Sequence, residues 1–264
     1  GLVSLGMLLV VADALRRGAP TQRHLVALGA LLATSWTLKE TTFIFGFAAA
    51  VFLVGLAIAA GRGGARAGVF WRGVAGVGWR AWVATGVAFL AVMLVVFTSM
   101  LRYPAGLESG LLDGLRYWLS QHEVGRGGQR WSFYVSILFA YEWLVLVLAG
   151  AGGGAGWRRR DPVVGWLATM ALVQLAVYTW AGEKYAWLML HPVIPAVLLA
   201  GIGVQAIADA GMPAGLRRMG TAVLAVASAL TLFVAVRPAI THGDDARELL
   251  VTVQTSGQVR DVAA

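Results

Sequence analysis

Long apolar runs separated by short polar turns recur along the whole chain. A helix that crosses a bilayer needs about 20 mostly apolar residues, in a range of roughly 17–25. Eight segments reach or approach that length: about 1–15, 24–38, 41–60, 82–100, 132–149, 163–180, 191–208 and 220–236. The pattern predicts an all-α fold, a polytopic bundle of about eight transmembrane helices. The segment 24–38 is short, and if it did not cross, the orientation of everything before it would flip.

The intervals between these runs carry further pattern. In 101–131, Leu107, Leu111, Leu112, Leu115, Trp118 and Leu119 recur at helical spacing, with Glu108, Ser109, Asp113, Arg116 and Ser120 on the opposite face. This predicts a short amphipathic helix on the membrane surface. A glycine-rich turn, Gly125 to Gly128, then leads to the next span. The stretches "GRGGARAGVFWRG" and "GAGGGAGWRRRDP" read as flexible basic connectors. After Arg237 the chain turns polar, and "ELLVTVQT" offers a strand. The expected division is a transmembrane region, 1–238, and the start of an extracytoplasmic soluble region, 239–264.

Composition settles the class. The chain is 59% hydrophobic and 13% charged, with mean hydropathy +0.74, whereas soluble domains are roughly 45–50% apolar and about 25% charged. No cysteine is present, which excludes disulfides, thiolate metal sites and cysteine nucleophiles. Because Gly1 opens inside an apolar run without a basic leader, no signal peptide is read, and the chain is expected to be a fragment lacking its N-terminal part.

The net charge of +8 would suggest nucleic acid in a soluble protein. In a membrane protein its distribution carries the information, and no nucleic-acid partner is implied. One set of alternate loops holds Arg16, Arg17, Arg23, Arg62, Arg66, Arg72, Arg80, Arg158, Arg159, Arg160, Arg217 and Arg218, with three acids, Asp13, Asp161 and Asp209. Asp13 can pair with Arg16 and Arg17 at helical spacing. The opposite set is mixed in sign. Arginine and lysine favour cytoplasmic loops, so the first set is expected inside and the mixed set outside. The expected location is the cytoplasmic membrane of a prokaryote.

Four polar clusters fall on the expected outer side. They are Lys39 and Glu40; Gln121, His122, Glu123, Arg126, Gln129 and Arg130; Tyr141 and Glu142; and Glu183, Lys184, Tyr185 and His191. Ionisable groups near hydrocarbon face a protein interior, pair with one another, or mark a substrate path. Each cluster also has a plainer reading. Lys39 and Glu40 suit a solvated turn, and the His122 segment an ordinary surface loop. Glu142, counted as some ten residues into an apolar stretch, suits an interhelical bond. Glu183 and Lys184 suit a snorkelling pair at a helix end, and His191 a packed histidine. The four histidines show no HExxH spacing, and no GxSxG, P-loop or dinucleotide fingerprint occurs. No cofactor is identified, and a divalent metal has no support in the residues.

The segments "TLKETTFIF", "RYPAGLESGLLDGLRYWLSQHEVGRGGQRWSFYVSILFAYEW", "WAGEKYAWLMLHPVIPAVLLAG" and "ELLVTVQTSG" follow one another from about residue 35 to the end. Together they resemble a prokaryotic family, the flippase activity-associated proteins of archaeal-type N-glycosylation. That family lies within the dolichyl-phosphate-mannose–protein mannosyltransferase-like membrane glycosyltransferases of the GT-C fold. The patterns "QHxVxRGxQ" and "AGEKxxWLxxHP" carry most of the resemblance. It implies a polyprenyl-phosphate-linked sugar as donor, used at the extracytoplasmic face, with a lipid, glycan or protein acceptor of unknown identity. It also implies an acidic catalytic base in a loop upstream of Gly1. No catalytic residue is therefore assigned here, and the fragment is expected to be inactive.

A lipid-phosphate leaving group at the outer interface needs cations to stabilise its developing charge. Lys39, Arg126, Arg130 and Lys184 are the candidates, arginine as a bidentate ligand and lysine as a point charge. Gln121, His122, Glu123, Tyr141, Glu142, Glu40, Glu183 and His191 are the supporting polar candidates. Two competing functions share the topology: a transporter or flippase of a lipid-linked sugar, and a non-catalytic subunit of an envelope glycan assembly. Transporters often show internal repeats and polar groups at the midplane. No convincing repeat is visible, and the polar groups gather at one face.

Overall fold

A bilayer core offers no water to backbone N–H and C=O groups, so a spanning segment must close its hydrogen bonds within itself. The computed structural model, which describes residues 1–39, 41–113, 116, 120, 129–182, 184–241 and 249–250, does so with helices and contains no strand among those residues. In chain order they are α1 (Leu2–Arg17), α2 (Gln22–Leu38), α3 (Thr42–Gly61), α4 (Ala65–Ala75) and α5 (Trp79–Phe97). A short α6 (Gly106–Glu108) runs into a π turn (Ser109–Asp113). Then come α7 (Phe133–Tyr141), α8 (Trp143–Arg158), α9 (Pro162–Trp180), a 3₁₀ turn (Ala186–Met189), α10 (Leu190–Ala208) and α11 (Ala214–Thr241).

Five of these stretches are long and apolar enough to cross a membrane: Thr42–Gly61, Trp79–Phe97, Pro162–Trp180, Ala186–Ala208 and Ala214–Arg237. A sixth is obtained if α7 and α8 count as one span, although they meet at 92°. The protein is a multi-pass, all-helical membrane protein. The helices α1 and α2 have 16 and 17 residues and fall short of that measure.

Contacts sort the loops onto two ends. Arg66, at the head of α4, donates from Nη1 to the carbonyls of Arg159 and Arg160 at 3.2 and 3.3 Å. Gly73 of α4 lies against Ala19 of the α1–α2 turn. These contacts bring the arginine-bearing turns together at one end. At the other end, Trp36 of α2 donates from Nε1 to the carbonyl of Gly110, and Lys39 stands over the ring of Trp187.

The interior has two parts. The larger contains Met7, Leu8, Phe45, Phe52, Trp166 and Met170, and the Trp166 indole donates to the carbonyl of Leu8 at 3.2 Å, tying α9 to α1. The smaller lies under the second end and joins Ile44, Phe133, Tyr134, Ile137, Leu138, Tyr141, Tyr178, Leu188 and Met189.

The structure departs from the expected pattern at several places. The run 132–149 is not one straight span. Because of the 92° bend, α7 crosses the head of α8, and Glu142 sits at the corner instead of part-way down a helix. The stretch read as the connector "GAGGGAGWRRRDP" is helical as far as Arg158, and α8 packs against α10 there. A Cβ on Gly152 would come within 2.2 Å of the Leu199 carbonyl oxygen, and one on Gly203 within 2.0 Å of that of Leu148. Glycine is required at both positions because small residues let membrane helices approach closely. The other connector likewise contains α4, whose Ala67 and Phe70 are buried.

Of the amphipathic helix expected over 107–119, the described part is the short α6 and its π turn, seated on Phe97 at the end of α5. Residues 114, 115 and 117–119 lie outside the described residues. The helix α11 continues past Arg237 to Thr241. Leu249 and Leu250 form a turn against the smaller apolar cluster, and the rest of the expected strand lies outside the described residues.

Candidate functional site

The second end of the bundle gathers the candidate side chains. Its scaffold is aromatic. Tyr134 of α7 donates its hydroxyl to the Tyr185 carbonyl at 3.2 Å and accepts from the Tyr185 N–H at 3.1 Å. One phenol thereby satisfies both backbone groups of a residue 51 positions away and fixes the turn after α9. Tyr185 in turn stacks on Trp187, with centroids 4.2 Å apart and planes at 10°.

Above this platform stands Lys39, whose backbone closes α2 in an extended conformation. Its Nζ lies 5.9 Å from the Trp187 ring centroid, within reach of a cation–π attraction. Lys39 is exposed and Trp187 is half exposed, so the pair faces outward.

Lys184 has a different role from the one its charge suggested. Its side chain is 6% exposed, turned inward. The Nζ donates to the carbonyls of Thr179 and Ala181 at 2.8 and 2.6 Å. A helix C-terminus presents unpaired carbonyls and partial negative charge, and a cation there satisfies both. Lys184 therefore caps α9, and Glu183 lies outside the described residues. Two of its three N–H groups are committed to these carbonyls. Burial pushes its amine below the ordinary lysine range.

His191 stacks on Tyr178, with centroids 5.8 Å apart and planes at 26°, as the packed-histidine reading expected. Tyr141 is buried in the smaller apolar cluster. Glu142 is partly buried at the α7–α8 corner, and its carboxylate makes no hydrogen bond or ion pair with a described residue. Its backbone carbonyl accepts from Leu146 N–H at 3.0 Å, starting α8. Arg130 is exposed, and its backbone carbonyl accepts from Phe133 N–H at the head of α7. Glu40, Gln121, His122, Glu123, Arg126 and Glu183 lie outside the described residues.

Sequence reasoning missed Tyr134 and Tyr178. Tyr178 is 2% exposed, and its hydroxyl has no partner among the described residues. The buried hydroxyl of its neighbour Thr179 is likewise unpaired there. The only sequence signal was, for Tyr178, the aromatic density near the Glu183–Lys184 turn. No group of three metal-ligating side chains occurs among the described residues.

The arrangement offers outward cations, Lys39 and Arg130, at the same end as a flat aromatic surface and the buried amine of Lys184. Such a surface can hold an anion together with a carbon skeleton. Compared with known protein families, curated proteins and solved structures, the chain matches none.

Proposed function

We propose that the protein is an integral membrane glycosyltransferase of GT-C type that transfers a sugar from a polyprenyl-phosphate-linked donor at the extracytoplasmic membrane face. The observation that carries this reading is the Lys39–Trp187–Tyr185 group beside the Lys184 cap, at the end opposite the arginines. The positive-inside rule makes the arginine end cytoplasmic and this end external. A prenyl chain reaches such a place within the bilayer, its phosphate meets Lys39 and Arg130, and its sugar meets the aromatic surface. In this reading α1 and α2 also cross, giving eight spans.

The test is release of polyprenyl phosphate from a polyprenyl-phosphate sugar by the purified full-length protein. Release that Lys39→Ala lowers supports the reading. No release under conditions in which the lipid donor binds would overturn it.

One observation favours a second reading, movement of a lipid-linked sugar across the bilayer. The 92° break at Glu142 is the kind of discontinuous helix from which transporters build substrate sites. Transfer of a fluorescent lipid-linked sugar between leaflets of proteoliposomes, with no release of polyprenyl phosphate, would select it.

A further inference from the structure

At the arginine-bearing end, a groove of about 450 Å³ opens between the α1–α2 turn and the α4–α5 turn. Pro20, Gln22, Gly73, Gly78, Trp79 and Arg80 are among the residues that line it. The charges described at this end can be followed one by one.

All three carboxylates of this end are engaged elsewhere. Asp13 accepts from Arg17 Nε at 2.7 Å and meets His24 Nε2 at 2.8 Å. Asp161 accepts from the Val163 N–H at 2.9 Å, capping α9. Asp209 accepts from Gln205 Nε2 at 2.8 Å. No carboxylate among the described residues pairs with Arg80, whose guanidinium lies 5.8 Å from the ring of its neighbour Trp79. Among the described residues the groove thus holds a cation without an anion, in a set of loops where twelve arginines outnumber three acids.

Its position relative to the bilayer is marked by tryptophan. Trp79 is 70% and Trp82 47% exposed at the start of the apolar span α5, the level at which such side chains anchor in the interface. From there Val83, Val87, Leu90 and Leu94 continue an exposed apolar strip along α5.

We propose that this groove binds the headgroup of an anionic phospholipid of the adjoining leaflet, with the phosphodiester on Arg80 and the acyl chains along the α5 strip. Basic pockets at helix ends recognise anionic headgroups through this combination of charge and level. A soluble phosphate would share the anion chemistry but would make no use of the strip.

The test is lipid binding to the detergent-purified protein by native mass spectrometry, with dioleoylphosphatidylglycerol and dioleoylphosphatidylcholine as probes and glycerol 3-phosphate as soluble competitor. The anionic lipid is expected to bind more tightly than the zwitterionic one. Arg80→Gln, an exposed position, is expected to weaken the anionic lipid about fivefold, the effect of one arginine at such a surface. Arg218→Gln, at the same end but outside the groove, is expected to change it by less than about twofold. Equal losses in the two variants would mean diffuse attraction and overturn the proposal, as would equal binding of the two lipids. Displacement of the lipid by equimolar glycerol 3-phosphate would overturn it in favour of a small-anion site.

Discussion

The close packing of α8 on α10 makes Gly203→Ala a sharp test of how the bundle is held. The added methyl carbon would lie 2.0 Å from the Leu148 carbonyl oxygen and 3.0 Å from the Gly152 nitrogen. Both are backbone atoms, so no side-chain rotation relieves the clash. The two helices must separate by about an ångström, loosening every contact along the pair. Overpacking of this kind costs about 1–3 kcal/mol. Alanine also gains helix propensity over glycine, about 0.8–1.0 kcal/mol in water, and that gain would mask part of the loss. Gly201→Ala supplies the correction. It lies on the same helix, and its new carbon would meet nothing within 4 Å. Thermal unfolding in a single detergent should place Gly203→Ala about 1–3 kcal/mol below Gly201→Ala. At roughly 2–4 °C per kcal/mol for a chain of this size, the midpoints differ measurably. Equal stability of the two variants would refute the close approach of these helices.

Two further substitutions probe the second end. Lys184→Met removes two charge-assisted bonds to the carbonyls that end α9. It should cost about 1–2 kcal/mol in thermal unfolding, the lower part of the range for charged donors, because burial already disfavours the ammonium. The same burial gives a pH signature. With the folded amine lowered and the unfolded one ordinary, the unfolded state holds more protons in the alkaline window between the two values. Stability from this group therefore rises with pH there, and the rise should vanish in Lys184→Met. Tyr178→Phe removes a buried hydroxyl without a described partner while keeping the ring on His191. It should leave the protein unchanged or up to about 1 kcal/mol more stable, and a lowered unfolding midpoint would mean that the hydroxyl is bonded after all.

The helices were legible because hydrocarbon imposes a one-dimensional requirement. A run of apolar residues must be helical and of a certain length, whatever its neighbours. Segments such as 41–60, 163–180 and 191–208 accordingly lie within a residue or two of α3, α9 and α10. What failed were features that depend on a partner. The glycines around 150–156 looked like a flexible connector because glycine favours turns. Only the position of α10 distinguishes Gly152, which touches a backbone, from Gly153 and Gly154, which touch nothing. The bend at Glu142 has no proline to announce it. The capping role of Lys184 is not legible, because its sequence neighbours do not reveal two carbonyls waiting at the end of α9. Tyr134 and Tyr185 are far apart in sequence and carry no local sign of their mutual bonds.

The helix α11 stands apart from this packing. Its apolar stretch, Ala214–Arg237, has 24 residues, and none of its best membrane window is buried within the protein. At about 1.5 Å per residue, that stretch is roughly 36 Å long, against about 30 Å of hydrocarbon. With little bundle contact to fix it, its tilt is set by the membrane. A thin bilayer leans α11 further and a thick one straightens it, while the tightly joined α8 and α10 keep their angle. Membrane thickness thereby becomes a control on how far the end of α11 stands from the aromatic end of the bundle.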